Sequence, residues 1–208
     1  MIGECDYLNI EMLDFKQINV DSSFISLNGE VVSRVVKSNK IMEFDENTYA
    51  KLVDCSFHNG IIEVKMLSRL LPDAPDFARG FIGIAFRINE DDSMFESFYV
   101  RPTNGRVDDK IRKNRAIQYF SYPKYTFDYF RKNGILDFEG TADIGLDEWI
   151  ILKIIINGSE GEFYLNNEEK PVLVVKNMKH GDSRGAIGLF VDIGTEGFFK
   201  DLDITLCD

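Results

Sequence analysis

The chain has 208 residues, of which 44% are hydrophobic and 17 are Phe, so it contains enough apolar material for a large core. All-β sandwiches of about 200–250 residues often form one domain, and we therefore expect residues 1–208 to be a single domain. The formal net charge of −11 argues against nucleic acid as a partner, because phosphate binding relies on a positively charged surface.

The N-terminal residues and the cysteines predict the compartment. Residues 1–6 lack the basic and apolar regions of a signal peptide, and no window reaches the roughly 20 apolar residues of a membrane span. Cys5, Cys55 and Cys207 show no CxxC spacing, which favours reduced thiols. We expect a cytoplasmic protein with no membrane contact.

Turn signals recur along the chain as Asn-Gly pairs, which tolerate the positive φ of tight hairpin turns. The pairs begin at Asn28, Asn59, Asn104, Asn133 and Asn157. Two of them separate strand-like runs and predict hairpins: residues 24–27 with 30–36, and residues 127–131 with 135–138.

Alternating apolar residues predict further strands. These strands lie at residues 61–67, 81–88, 95–101, 150–156, 162–165, 172–175, 186–191 and 201–206. Helical spacing is confined to a short segment at residues 109–115. Many short strands without helical crossovers predict an all-β jelly-roll sandwich of two antiparallel sheets.

Three segments carry a resemblance to a known superfamily. A strand beginning at Trp149 leads to a hairpin ending in Tyr164-Leu-Asn166; Gly185-Ala-Ile-Gly-Leu leads to Phe199-Lys-Asp-Leu-Asp-Ile204; and residues 95–106 precede Gln118-Tyr119. Together they resemble the concanavalin A-like lectin/glucanase superfamily, particularly its laminin-G-like and 3-keto-disaccharide-hydrolase-like branches. The resemblance implies a concanavalin A-like sandwich and a role in binding or cleaving carbohydrate.

One motif departs from that superfamily. Its glucanase branch typically carries Glu-x-Asp-x-(x)-Glu along one strand, which places the carboxylates on one face. The nearest match is Glu43-Phe44-Asp45-Glu46, where the last acid directly follows Asp45. The spacing does not reproduce the carboxylate triad.

The predicted hairpin of residues 81–88 and 95–101 holds the candidate binding residues. A simple antiparallel register pairs Gly83 with Tyr99 and Ala85 with Ser97, and puts Arg87 near Phe95. An aromatic ring with planar donors beside it suits a sugar, which offers CH groups and hydroxyls. A solvated face with ordinary ion pairs is the alternative. The predicted ligand-binding residues are Arg87, Ser97, Tyr99, Arg101, Arg106 and Tyr119.

Glu96 is the candidate catalytic residue. Alternation places it on the inward face with Phe98 and Val100, where an unpaired carboxylate is costly. Burial can raise the pKa of a glutamate and make it a general acid. The alternatives are a structural pairing with a buried arginine and a β-bulge that turns Glu96 outward.

A basic loop follows the hairpin. It contains Arg101, Arg106, Lys110, Arg112, Lys113 and Arg115 against Asp108 and Asp109. Such a loop could hold an anionic sugar, a phosphate or an acidic partner, or it could neutralise nearby acids.

The sequence predicts no cofactor. His58 and His180 lack the spacing of zinc ligands. Calcium is the alternative, with Glu90-Asp91-Asp92 or Asp143 and Asp147 as candidate ligands, although no EF-hand pattern is present.

These observations favour a carbohydrate-binding domain that uses the open concave face of a sheet to hold a sugar or another small polar ligand. A glycoside hydrolase acting on small or modified saccharides is the second hypothesis, so enzymatic activity stays an open question. A protein-interaction module that presents the basic loop is the third.

Overall fold

Two antiparallel sheets of seven strands each form the framework of the structure, a computed structural model that describes residues 10–38 and 42–207. The N-terminal segment and Cys5 lie outside the described residues; Cys55 and Cys207 are free thiols. The strands are β1 (Phe15–Ile18), β2 (Val20–Leu27), β3 (Glu30–Lys37), β4 (Tyr49–Leu52), β5 (Asn59–Leu70), β6 (Ile82–Ile88), β7 (Phe95–Val100), β8 (Ile117–Tyr122), β9 (Glu139–Gly140), β10 (Ile150–Asn157), β11 (Glu160–Leu165), β12 (Leu173–Val175), β13 (Ala186–Val191) and β14 (Thr195–Cys207). The short helices are a 3₁₀ turn at Ile10–Met12, α1 (Pro102–Gly105), α2 (Lys110–Lys113) and α3 (Phe127–Lys132).

The strand order defines the two layers. Sheet 1 runs β1-β4-β13-β6-β7-β8-β9, and sheet 2 runs β12-β11-β10-β5-β14-β3-β2. Strands distant in sequence lie side by side in both sheets, as in a jelly roll. The predicted all-β jelly-roll sandwich is confirmed.

The main core fills the space between the sheets. Alternate residues of β5, β10 and β11 face alternate residues of β6, β7 and β13. Phe98 of sheet 1 stacks on Phe163 of sheet 2, with ring centroids 4.5 Å apart and ring planes 11° apart. Removing this apolar surface from water is the main contribution to folding stability.

The predicted hairpin at Asn28-Gly29 is confirmed. It joins β2 to β3, and Asn28 and Gly29 both have positive φ, at 52° and 87°. The Asn157-Gly158 pair likewise turns β10 into β11.

The predicted hairpin at Asn133-Gly134 is wrong, because residues 127–132 form α3. The Thr126 hydroxyl caps the first turn by accepting from the Tyr129 N–H, and Gly134 ends the helix with a φ of 69°. Asn-Gly serves a helix C-terminus as well as a hairpin, because both require positive φ.

A β-bulge in β6 decides where several predicted site residues point. Ala85 pairs with Gly188 and Ile88 pairs with Ala186, so two residues of β6 stand opposite one residue of β13. Arg87 lies in this bulge with a φ of 53°. The extra residue reverses the alternation, as bulges do, and Ile88 therefore packs on the outer face of sheet 1.

Both faces of sheet 1 are buried at its centre. Every residue of β6, β7 and β13 is buried, whereas β10 of sheet 2 alternates between buried and half-buried positions. A second apolar cluster thus covers the outer face of sheet 1. Within the described residues, no helix is long and apolar enough to span a bilayer.

We expect Phe163→Ala to lower the free energy of unfolding by about 3–5 kcal/mol, because the missing ring leaves a cavity between the sheets. Phe24→Ala, at a ring that is 44% exposed on β2, should cost less than about 1 kcal/mol. Denaturant unfolding of both variants measures the difference. Equal losses would contradict the assignment of the core.

Candidate functional site

An aromatic layer occupies the outer face of sheet 1, where the open binding surface was predicted. Its members are Tyr49, Phe81, Phe95, Tyr99, Phe120 and Phe190. Neighbouring rings meet edge-on or tilted, with centroids 5.2–6.0 Å apart. All of these rings are at most 4% exposed. This part of the face is therefore closed to ligands.

A coil segment at residues 42–48 lies over that layer. The Phe44 ring packs edge-on against Phe81 and Phe127, at 5.6 and 5.7 Å. The Thr48 hydroxyl donates to the Val191 carbonyl at 2.7 Å. The acidic run of residues 43–46 is thus a covering segment without strand structure, and it does not present carboxylates along one strand.

Asp45 fastens this segment to the sheet beneath it. Its Oδ1 accepts from the Tyr99 hydroxyl at 2.9 Å, and its Oδ2 accepts from the Phe127 N–H at 2.8 Å. Complete burial and the nearby Asp192 carboxylate together raise the pKa of Asp45 to about 7. Asp192 is itself paired with Lys37 at 2.6 Å.

The hydrogen-bond chain continues from Asp45 to a buried arginine. Arg101 Nη2 donates to the Tyr99 hydroxyl at 2.7 Å and to Gln118 Oε1 at 3.2 Å. Its Nη1 donates to Glu139 Oε1 at 3.0 Å. Asp45, Tyr99 and Arg101 therefore form a continuous polar floor at the margin of the aromatic layer.

Above that floor lies a cleft of about 200 Å³, which we call the arginine pocket. Aromatic walls and cationic side chains meet there. It is lined by Phe44, Phe77, Arg79, Phe81, Arg101, Asn104, Arg112, Arg115, Phe127 and Arg131.

Glu139 compensates part of the pocket's positive charge. It pairs with Arg101 at 3.0 Å, with Arg115 at 3.8 Å, and also with Arg131. Arg79 and Arg112 instead donate their side-chain hydrogen bonds to uncharged oxygens, most of them backbone carbonyls. Among the described residues, these two guanidinium groups thus bring charge to the pocket without a carboxylate hydrogen-bonded to them.

Aromatic rings hold the cations in place. Arg131 lies 4.7 Å and Arg101 lies 5.7 Å from the centroid of the Phe127 ring, both within cation–π range. The Phe77 ring is 46% exposed and packs edge-on against Phe44 at 5.5 Å. The pocket therefore offers an apolar ring surface next to fixed planar donors.

The structure separates the predicted binding residues. The register of Gly83 with Tyr99 and of Ala85 with Ser97 is confirmed. Tyr99 and Ser97 are nevertheless 1% and 0% exposed, because the aromatic layer and its covering segment close that face. Of the predicted set, Arg101 lines the arginine pocket.

Arg87 points away from Tyr99, which corrects the prediction that they share a face. The bulge directs its guanidinium to the carbonyls of His58, Gly158 and Gly181, at 2.7–3.1 Å. It is 2% exposed. Arg87 ties three loops together from within the protein.

Glu96 and Tyr119 lie on the inward face and contact each other. The Tyr119 hydroxyl donates to Glu96 Oε2 at 2.6 Å, and the His180 backbone N–H donates to Glu96 Oε1 at 2.8 Å. Burial raises the pKa of Glu96. Both carboxylate oxygens hold neighbouring segments, which favours a structural role for Glu96. Its hydrogen-bond partners are the Tyr119 hydroxyl and the His180 N–H and not the arginine expected from the sequence. The inward position of Tyr119 corrects its assignment to a surface groove.

The basic loop divides into two groups. Arg112 and Arg115 turn to the arginine pocket. Arg106 is exposed and pairs instead with Asp143 at 2.6 Å and Glu148 at 2.9 Å, beside a separate groove. Asp109 caps the first turn of α2 by accepting from the backbone N–H groups of Ile111 and Arg112.

Four of the five acidic residues considered for calcium are engaged by protein groups. Asp91 accepts from Ser93, Asp92 pairs with Lys51, Asp143 pairs with Arg106, and Asp147 pairs with Arg69. Within residues 10–38 and 42–207, no three His, Cys, Asp or Glu side chains are grouped to hold a metal ion.

Sequence reasoning missed several pocket residues. Arg79 precedes β6, Arg131 lies in the last turn of α3, and Phe44 lies in the covering segment, so no local spacing connects them. The local cluster of basic residues in an acidic chain is the available signal, and it is confined to residues 101–115.

A larger open groove of about 460 Å³ lies on sheet 2, lined by Glu63, Val64, Lys65, Ile151, Asn167 and Asp201. It has no aromatic wall, and Lys65 pairs with Asp201 at 2.8 Å. The arginine pocket is the stronger candidate site, because its convergent donors and rings suit a polar ligand.

Solved structures share this fold at low sequence identity. A carbohydrate binding module from Bacillus subtilis superposes with a TM-score of 0.57 and 14% identity, covering 89% of this chain and 94% of that one. A protein of unknown function with a galectin-like fold, also from Bacillus subtilis, superposes with a TM-score of 0.51 and 10% identity, covering 91% of this chain and 97% of that one. A proposed glycosyl hydrolase from Parabacteroides distasonis superposes with a TM-score of 0.51 and 13% identity, covering 93% of this chain and 88% of that one.

These likenesses confirm the predicted concanavalin A-like fold. At such identities they show the fold alone, since unrelated functions share one architecture. No protein-family model matches the sequence. No curated protein matches it either.

We expect Asp45→Asn to change how stability depends on pH. The pKa of Asp45 is about 7 in the folded protein and about 4 in the unfolded chain. Its contribution to the free energy of unfolding is therefore complete below about pH 4 and is lost as the pH rises toward 7. The variant is neutral throughout, so relative to the wild type it should gain up to about 4 kcal/mol between about pH 4 and 7. Denaturant unfolding of both proteins across this pH range measures the gain. A difference in the free energy of unfolding that does not change with pH would contradict the prediction.

We expect Glu96→Gln to lower the free energy of unfolding by about 1–3 kcal/mol, because one buried donor loses its acceptor. Glu162→Gln is the matched control, since the Tyr164 hydroxyl donates to Glu162 at 2.5 Å in a half-buried setting. The free energy of unfolding of this control should fall by no more than about 0.5 kcal/mol. A Glu96→Gln protein of wild-type stability would argue for a functional acid.

Proposed function

We propose that the protein is a carbohydrate-binding domain whose ligand site is the arginine pocket at the margin of sheet 1. The observation that carries this proposal is the meeting of exposed aromatic surface with fixed planar donors in one cleft. The open sheet face considered from the sequence is replaced by this site, because the aromatic layer closes the face itself.

The pocket has the chemistry that a sugar ring requires. The exposed Phe77 ring offers a surface for the CH groups of a sugar, an arrangement that excludes water from both partners. Arg79 and Arg112 present N–H donors in planar forks, which suit adjacent hydroxyl oxygens. Asn104 supports Arg112 by accepting from its Nε at 3.1 Å, so the donor is positioned before a ligand arrives.

The size of the pocket limits the ligand. Its volume of about 200 Å³ lies below the ~300–1,000 Å³ of sites that enclose drug-sized ligands. It suits one sugar ring, either a monosaccharide or the terminal residue of a longer chain.

Binding is proposed in preference to hydrolysis because of the position of the candidate acid. Glu96 is 0% exposed, and both of its carboxylate oxygens accept protein hydrogen bonds. Glycoside cleavage requires two carboxyl groups on either side of an accessible glycosidic bond. The buried position of Glu96 does not meet that requirement.

We expect Phe77→Ala to weaken saccharide binding at least about fivefold, which corresponds to about 1 kcal/mol of lost ring contact. Isothermal calorimetry against a panel of neutral and charged mono- and oligosaccharides measures it. The melting temperature should stay close to the wild-type value, because the ring is 46% exposed.

The matched control is Phe24→Ala, since Phe24 is 44% exposed on the edge of sheet 2. It should bind like the wild type. Absence of binding across the whole panel, or equal losses in the two variants, would overturn the proposed site.

A further inference from the structure

We infer that the saccharide recognised in the arginine pocket is anionic, carrying a carboxylate, sulfate or phosphate group that the guanidinium groups bind. This inference rests on the proposed function and specifies its ligand class. It goes beyond a general sugar site, because neutral hydroxyls would not require so many cations.

The pocket gathers more positive charge than the neighbouring described residues neutralise. Five arginines line it. Within residues 10–38 and 42–207, the carboxylates that interact with their guanidinium groups are Glu139, Asp45 and Asp76. Asp45 is protonated for part of the time near neutral pH, since burial and Asp192 raise its pKa to about 7. A local cation excess in a chain with a net charge of −11 indicates a specific role.

Arg79 and Arg112 are the groups available to an anion. Arg79 donates to the backbone carbonyls of Asp76 and Ala78 at 2.6 and 2.7 Å. Arg112 donates to Asn104 Oδ1 at 3.1 Å and to the Thr103 carbonyl at 3.3 Å. These neutral acceptors fix the side chains without cancelling their charge. A ligand anion would add the missing compensation.

Mutual repulsion among the arginines supports the same conclusion. Burial, together with the neighbouring charges of Arg112 and Arg101, lowers the pKa of Arg79. An anion placed between these groups would relieve that repulsion. Charge-assisted hydrogen bonds from guanidinium to an oxyanion are about twice as strong as neutral ones, so the gain is largest for a charged ligand.

The aromatic walls strengthen this recognition. Phe81 is 4% exposed, and Phe44 and Phe127 are half-buried beside the cations. Apolar walls lower the local dielectric, so a pair of opposite charges attracts more strongly there than on the open surface. The same rings can contact the carbon face of the sugar. One pocket therefore accommodates the charged substituent and the ring that bears it.

The test compares matched ligands on the full chain by calorimetry. Glucose, glucuronate, glucose 6-phosphate and a glucose sulfate share one ring and differ in charge, and inorganic sulfate and inorganic phosphate supply the anion without a sugar. We expect at least one charged sugar to bind at least tenfold more tightly than glucose and than the matching inorganic ion. Its affinity should fall as the salt concentration increases.

Two variants locate the binding. Arg112→Gln should weaken binding of the charged sugar at least tenfold. Arg79→Gln removes a second positive charge from the pocket and tests the same effect independently. Arg106→Gln is the control, because Arg106 belongs to the same loop but pairs with Asp143 and Glu148 outside the pocket. It should leave affinity unchanged. Melting temperatures of all three variants verify that each remains folded.

The outcomes separate the two proposals. If glucose binds as tightly as its charged counterparts and Phe77→Ala weakens it, the anionic inference fails while the saccharide site stands. If the inorganic ions bind as tightly as the charged sugars, the saccharide function fails and an anion site remains. Equal effects of Arg112→Gln and Arg106→Gln, or no binding by any probe, would overturn the inference.

Discussion

The buried Asp45 carboxylate is the constraint on which the arrangement of the candidate site depends. It holds a coil segment and the first turn of α3 against sheet 1 by accepting from the Tyr99 hydroxyl and the Phe127 N–H. A carboxylate without partners would be costly at that depth. This contact closes the centre of the face, and the arginine pocket opens at the margin, where Arg101 continues the same polar chain.

The covering segment adds a third layer to the two sheets, on the outer face of sheet 1. Both faces of β6 and β7 are buried, so their residues are apolar on each side and the simple inward-outward pattern of an exposed sheet is lost. Polar groups within them must then find partners inside the protein. Glu96 and Ser97 do so, through Tyr119 and the Ile84 carbonyl. Their types suggest a surface site, yet their contacts are internal.

The sequence could predict the features that depend on local pattern. Alternation predicted the strands around Tyr99 and their register with Gly83, because both follow from a period of two. The direction of Arg87 could not be predicted, since one inserted residue in β6 reverses it. The arginine pocket draws Arg79 and Arg131 from segments distant in the chain. Their proximity follows only from the complete fold.

Glu139 gives the arginine pocket a property that its cations alone would not have. This single carboxylate is shared by Arg101, Arg115 and Arg131, so three of the five guanidinium groups already face an internal anion, and the proposed ligand anion is left with Arg79 and Arg112. Under the proposed function, Glu139 would therefore be a built-in competitor that confines the ligand's charge to one side of the pocket. A neutral residue at position 139 would release three further guanidinium groups, and it would also leave the buried Arg101 without this carboxylate.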